Sequence, residues 1–148
     1  MKNFFAFLFG VAFFISSVSF AAVSLDKIAL GKVVPGMSVS DLVSAYGQPN
    51  YKHGDEWDYG TFKVEIDDKV FGDIVEKVVT RTGGIATPNG VAVGQNASVL
   101  NSTFGTADKV DTEHDGAEYK YYSTDRTKKI EFKVVNGVIA KISCSIRD

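Results

Sequence analysis

The sequence predicts an α+β protein of two tandem repeats, each a short helix followed by about three antiparallel strands, with the helices packed on one sheet face. Segments 33–47 and 91–105 resemble each other, and the glycines near both ends of each segment occupy matching positions. Each segment has apolar residues at helical spacing, and runs of alternating apolar and polar residues follow it. Similarity at a fixed offset indicates that one supersecondary unit is present twice.

The two helices are predicted from their capping residues. The first runs from Ser38, whose side-chain oxygen can cap the first turn, to Gly47, which favours a left-handed C-terminal cap. In the second, Asn96 is the corresponding cap and Gly105 the stop. Their apolar stripes are Val39, Leu42, Val43 and Tyr46, and Ala97, Leu100 and Phe104. Helices this short are not stable alone, so they require a sheet to pack on.

Alternating runs predict the strands of that sheet. They are residues 57–59, 62–66 and 74–81 after the first helix, and 118–123, 130–134 and 138–146 after the second. Asn136-Gly137, between the last two runs, suits the positive φ angles of a type I′ hairpin turn. The turn-rich connector 83–90 is either a flexible joint or a short tie across one continuous sheet. A shared core or edge is favoured, because one small helix covers a sheet poorly.

Residues 1–21 are predicted to be a signal peptide, with Lys2, an apolar stretch over 4–15 and a small-x-small cleavage site. No cysteine lies near this site, which excludes a lipid-anchored start of the bacterial type. We expect a first repeat over 22–82, a connector over 83–90 and a second repeat over 91–148. The product is expected to be secreted or periplasmic, without stable membrane insertion after cleavage.

Charge and cysteine content restrict the function classes. A formal net charge of −2 argues against nucleic acid as a partner, because nucleic-acid binding needs a concentrated basic field. Cys144 is the only cysteine and cannot form an intramolecular disulfide. It is either a buried small hydrophobe or, as the alternative, a site of intermolecular disulfide formation.

Residues around the first helix resemble a known superfamily. They are 34–38 (VPGMS), Leu42-Val43, 46–49 (YGQP) and the pair Trp57-x-Tyr59. The pattern is similar to the superfamily that joins the β-lactamase inhibitor proteins to the small outer-membrane assembly lipoproteins of the BamE (SmpA/OmlA) type. The resemblance implies paired helix-plus-antiparallel-sheet modules with a concave, aromatic-rich sheet face that binds a partner protein. The founding inhibitors carry intradomain disulfides and the lipoproteins begin at a lipidated cysteine, and this chain has neither.

Aromatic residues in the predicted strands are the first candidates for partner binding. They are Tyr51, Trp57, Tyr59, Tyr119, Tyr121 and Tyr122. If their sheet face is open, they form the kind of apolar patch from which interface hot spots are made. The alternative is that they pack beneath the helices as core. Side chains alternate along a strand, so Tyr122 should point away from Tyr121.

Two histidines are the second candidates. His53 and His114 are each predicted to lie in a loop between helix and first strand, with acidic neighbours. If the loops meet, these residues could bind a divalent metal or sense pH. The alternative is a pair of ordinary solvated acidic turns.

Enzymatic signatures are absent from the sequence: there is no nucleophile elbow, His-Glu-x-x-His helix or glycine-rich phosphate loop. We therefore expect an exported, non-catalytic protein-binding module, inhibitor-like or associated with the cell envelope, that uses an aromatic sheet face or a groove between the repeats. No cofactor is expected. The alternative is a periplasmic small-ligand or metal-binding protein that uses the two histidine loops.

Overall fold

The structure is a computed structural model that describes residues 22–69 and 72–147. The predicted signal peptide, 1–21, lies outside the described residues. After a single 3-10 turn at Leu25–Lys27, the elements are α1 (Val39–Tyr46), β1 (Tyr51–His53), β2 (Glu56–Asp58), β3 (Lys63–Asp67), β4 (Ile74–Thr80), α2 (Ser98–Phe104), β5 (Lys109–Glu113), β6 (Gly116–Tyr122), β7 (Lys128–Val135) and β8 (Val138–Ile146). In the described part of the chain, no helix is long and apolar enough to cross a membrane.

All strands form one antiparallel sheet in the order β1-β2-β3-β4-β8-β7-β6-β5. The halves of the sheet join where β4 pairs with β8, with Val78 opposite Cys144. The predicted fold of two helix-plus-three-strand repeats is wrong, because four strands follow each helix and all eight belong to one sheet. The missed strands are the edge strands β1 and β5, whose residues are mostly exposed and so lack the buried alternation that marks a strand.

Local signals place the helices correctly at three of four ends. Ser38 Oγ accepts the backbone N–H of Asp41 at 3.0 Å, and α1 ends at Gly47, whose φ of 78° fits the predicted cap. Gly105 ends α2 in the same way. The start of α2 differs from the prediction, because the N-cap is Ala97, one residue after Asn96. The side chain of Asn96 still accepts a backbone hydrogen bond there, from the N–H of Ser98 to Oδ1 at 2.9 Å.

The core lies between the helices and one face of the sheet. Residues that pair directly across antiparallel strands point to the same face, so one apolar row runs from Val64 through Val78, Cys144 and Ile130 to Tyr121. Helix side chains cover it, and the Phe104 ring of α2 lies 5.1 Å from that of Phe132.

Two further segments complete this core. Residues before α1 contribute Val23, Ile28, Leu30 and Val33, all at most 4% exposed. From the connector, Ile85 packs against the core and Thr87 is buried, and the Thr87 hydroxyl accepts the N–H of Val91 at 3.1 Å. The connector is thus packed along the covered side of the sheet. Cys144 is fully buried, as expected of a small hydrophobe, and burial raises the pKa of its thiol.

Candidate functional site

The second face of the sheet, called here the open face, carries polar side chains that point away from both helices. Among the residues that cross-strand register assigns to it are Tyr51, His53, Glu56, Asp58, Lys63, Glu65, Asp67, Lys77, Val79, Lys109, Asp111, Glu113, Glu118, Lys120, Tyr122, Lys129, Glu131, Lys133, Lys141, Ser143 and Ser145. Lysines and carboxylates are nearly equal in number in this set. The open face is therefore highly charged without being strongly acidic or basic.

Ion pairs tie these charges together. Within residues 22–69 and 72–147, every ion pair has its lysine on the open face. Lys120 is the most connected, with its Nζ 3.1 Å from Asp111 Oδ2 and 3.3 Å from Glu118 Oε1. A single exposed pair contributes little to stability, but a network holds long side chains in defined positions. The charged side chains of the open face are therefore held in place by their ion pairs.

The network is most enclosed around Glu118 and Glu131, whose side chains are only 13% and 14% exposed. A hydrogen bond with Glu131, together with burial, raises the pKa of Glu118. Burial opposes ionisation of Glu131, but hydrogen bonds from Glu118 and Lys129 outweigh it and lower the pKa of that carboxyl. Hydrogen bonding to Asp111 raises the pKa of Lys120, which stays charged. Glu131 is thus the firmly ionised partner of the carboxyl pair.

Two small residues lie on the open face of the central strand. On β8 the open-face positions near the C-terminal end are Ser143 and Ser145, which are almost fully covered. Long side chains of the adjacent strands stand on both sides, with Lys77 on β4 and Lys129 on β7 directly opposite Ser145. Ser143 and Ser145 therefore lie covered between longer side chains, where the two halves of the sheet meet.

A cavity of about 390 Å³ lies over β3 and β4, towards the end of β4. We call it the Arg81 cavity. Its basic lining residues are Lys63, Lys77, Arg81 and Lys141, and Glu56, Glu65, Val79, Thr61 and Thr82 are among the others. In the described segments Arg81 is in no ion pair, whereas Lys63 and Lys77 each contact a carboxylate.

Four of the six predicted binding aromatics lie on the helix side instead. Tyr121 is 1% exposed and donates its hydroxyl hydrogen to Gly105 O at 3.3 Å, and burial raises its pKa to about 12. Tyr59 stacks on Phe62 with ring centroids 4.8 Å apart. Trp57 and Tyr119 are partly buried against the core. These residues follow the core alternative, and no exposed aromatic surface forms from them.

The remaining two aromatics are on the open side but far apart. Tyr51 is 71% exposed on edge strand β1. Tyr122 lies on β6, opposite in direction to Tyr121 as strand alternation predicts, and Arg147 stands over its ring at 4.4 Å from the centroid. The contiguous aromatic patch predicted from the sequence is therefore not present. The signal for the charged surface was in the sequence, as lysines and carboxylates alternating with core residues, but alternation alone does not say which face is covered.

The histidines are not brought together. His53 ends β1 and His114 lies in the turn between β5 and β6, so they occupy opposite edges of the sheet, roughly 30 Å apart across its width. Both predicted loops are instead tight hairpins. In the part of the chain that the structure describes, no group of three or more histidine, cysteine or acidic side chains is arranged to hold a metal ion. A joint metal site of His53 and His114 does not form.

No family model and no curated protein matches this chain. One similar solved structure is a DUF4309 family protein (YjgB) from Bacillus subtilis, with a TM-score of 0.48 and 15% identity over 74% of this chain and 78% of that one. Another is an extracellular protein containing an SCP domain from Bacillus anthracis, with a TM-score of 0.53 and 7% identity. The second match covers 76% of this chain but only 44% of the other protein. At such identity it shows a shared fold and nothing more.

Proposed function

We propose that this chain is an exported, non-catalytic binding protein that docks a protein partner on the open face of its sheet. The observation that supports this proposal is that the two faces of the sheet are unlike. One face holds the helices and the core, and the other presents lysines and carboxylates fixed in ion pairs. The resemblance to inhibitor-type sheet proteins stays a prediction, and the proposed surface uses charged residues where that resemblance implies aromatic ones.

The size of the open face suits a protein partner. Seven strand spacings of about 4.8 Å make the sheet roughly 34 Å wide. The two longest strands, β7 and β8, have eight and nine residues, which corresponds to about 27–30 Å. Even with shorter edge strands, this area is comparable to the ~800 Å² that each partner buries in a standard interface.

Fixed charges favour selective docking. Lys133 Nζ lies 2.7 Å from Glu113 Oε2, and Lys129 Nζ lies 2.7 Å from Glu131 Oε1. Side chains held in this way lose little further conformational entropy when a partner binds. A mosaic of both signs accepts only a partner with the complementary pattern and speeds its encounter, rather than attracting any charged molecule.

Export is supported by two observations. Residues 1–21 have the charge, apolar stretch and cleavage site of a signal peptide. One protein of similar fold is described as extracellular.

The test is capture from the producing cell's envelope and medium by immobilised wild type and by charge-reversed variants. Lys109→Glu and Lys129→Glu invert two open-face charges, and Lys32→Glu makes the same change beside Tyr46 on the helix side. We expect a protein that wild type and Lys32→Glu retain and the double variant loses. Thermal melts must show all three folded. Equal capture by the three proteins contradicts docking on the open face.

A further inference from the structure

We propose that the Arg81 cavity binds a small anion, a carboxylate or phosphate group, between the Arg81 guanidinium and the Lys141 ammonium. This site takes a small ligand, and it stands whether or not a protein docks on the same face. Its volume, about 390 Å³, lies within the range of small-molecule pockets. The four cations of the cavity differ in whether a carboxylate already lies close to them.

Two of the four cations are neutralised within the protein. Lys63 Nζ lies 2.8 Å from Glu56 Oε1, and Lys77 Nζ lies 3.3 Å from Glu65 Oε1. These pairs form the wall of the cavity on the side of β2 and β3. Their lysines have their charge compensated and are not the main attraction for an anion.

The other two cations lack such compensation. Arg81 forms no ion pair with a carboxylate of residues 22–69 or 72–147, and the ion pair of Lys141 Nζ with Glu118 Oε2 is long, at 4.0 Å. Glu118 is also closer to Lys120, at 3.3 Å. The cavity therefore contains two positive groups for which the described residues supply no close counter-charge.

Strand register brings these two groups side by side. The pairs Val79–Ser143 and Thr80–Ile142 set the alignment of β4 with β8. The next residues in this alignment are Arg81, directly after β4, and Lys141 on β8. Both line the cavity. Like charges directly opposite each other destabilise a sheet unless something lies between them. An anion bound at this place would convert the repulsion into two attractions.

The chemistry of the lining defines the ligand. A guanidinium offers a planar fork of N–H groups that matches carboxylate or phosphate oxygens, and an ammonium adds a compact charge. Val79 provides an apolar contact in the lining, and Thr61 and Thr82 add polar groups. The fitting ligand is a small organic acid or a phosphate ester whose anionic group is held by Arg81 and Lys141.

The test is a chemical-shift titration by NMR with inorganic phosphate and, separately, with succinate. Sodium chloride at matched ionic strength is the third arm. We expect saturable shifts at Val79, Arg81 and Lys141 with phosphate or succinate, and no matching change with chloride. The arm with the lower dissociation constant tells phosphate from carboxylate chemistry.

Variants decide whether the site is the cavity. Arg81→Gln and Lys141→Gln should each weaken the probe's affinity about tenfold, since each removes a charge-assisted contact. Arg81→Lys, which keeps the charge but loses the fork, should weaken it less. Lys109→Gln, a matched change on the far edge strand, should leave it unchanged. Shifts spread over all open-face lysines, or an unaltered affinity in Arg81→Gln that melts like wild type, overturn the proposal.

Discussion

Replacing Tyr121 by alanine should destabilise the protein strongly, while the same change at its neighbour Tyr122 should not. Tyr121 is 1% exposed, its ring centroid lies 5.4 Å from that of Phe104 and 6.0 Å from that of Phe132, and its hydroxyl donates to Gly105 O. Truncating a buried aromatic ring removes its transfer free energy and leaves a cavity, at a cost of about 3–5 kcal/mol.

Tyr122 provides the matched comparison, because it is the same residue type on the same strand but on the open face. Its ring makes cation–π contacts with Arg126 and Arg147 at a partly exposed site. Such contacts contribute about 0.5–1 kcal/mol, so Tyr122→Ala should cost less than about 1.5 kcal/mol. Tyr121→Phe keeps the ring and loses one hydrogen bond, for a cost of about 1 kcal/mol.

Urea denaturation followed by circular dichroism measures all three variants. The predicted order of the free energy of unfolding is wild type, then Tyr121→Phe and Tyr122→Ala close together, then Tyr121→Ala far below. If Tyr121→Ala is as stable as Tyr122→Ala, Tyr121 is not in the core, and the assignment of core and open faces is reversed.

Three further predictions concern the helix cap, the carboxyl pair and the thiol. Ser38→Ala removes the bond to the helix N–H and should lower the free energy of unfolding by about 1 kcal/mol in urea denaturation, whereas Ser40→Ala, which is exposed and lies two residues further along the first turn, should change it much less. Because the pKa of Glu118 is raised on folding, its contribution is present below its unfolded pKa and is lost as pH rises through the folded value. The stability of wild type minus that of Glu118→Gln should therefore fall as pH rises above about 4.5. The same difference for Glu131→Gln, whose pKa is lowered, should be constant above about 4.5 and decrease as pH falls below it; parallel curves refute the pairing. Cys144 should react with a thiol reagent only as fast as the protein unfolds, and prompt labelling of the native protein contradicts its burial.

Sequence reasoning succeeded where signals are local. Ser38 and Gly47 define α1 because capping depends on a few adjacent residues. Strands β3, β4, β7 and β8 follow from alternation, because one side of each strand is buried. The turn at Asn136-Gly137 is where the prediction placed it, with both residues at positive φ.

Sequence reasoning failed where the answer depends on distant parts of the chain. Strand β5 is exposed at four of its five positions, so nothing in its own residues marks it except Val110 between polar neighbours. The pairing of β4 with β8 joins segments far apart in sequence and decides that one sheet forms. It also sends His53 and His114 to opposite edges.

Four of the six aromatics predicted to bind a partner lie on the covered face for a related reason. Alternation separates Tyr121 from Tyr122 but does not say which of the two lies under a helix. A core of this size needs large apolar side chains, so most of the aromatics are part of it. The lysines and carboxylates that alternate with them form the outer surface. Counting which alternating set contains the larger apolar volume would have identified the covered face.

The rate at which the captured partner associates, measured against salt concentration, tests the proposed docking most directly. If the partner binds the charged open face, raising sodium chloride from about 50 to about 500 mM should slow association about tenfold or more, and Lys109→Glu with Lys129→Glu should alter that dependence while Lys32→Glu does not. An association rate that is independent of salt and identical in all three proteins would contradict docking on the open face.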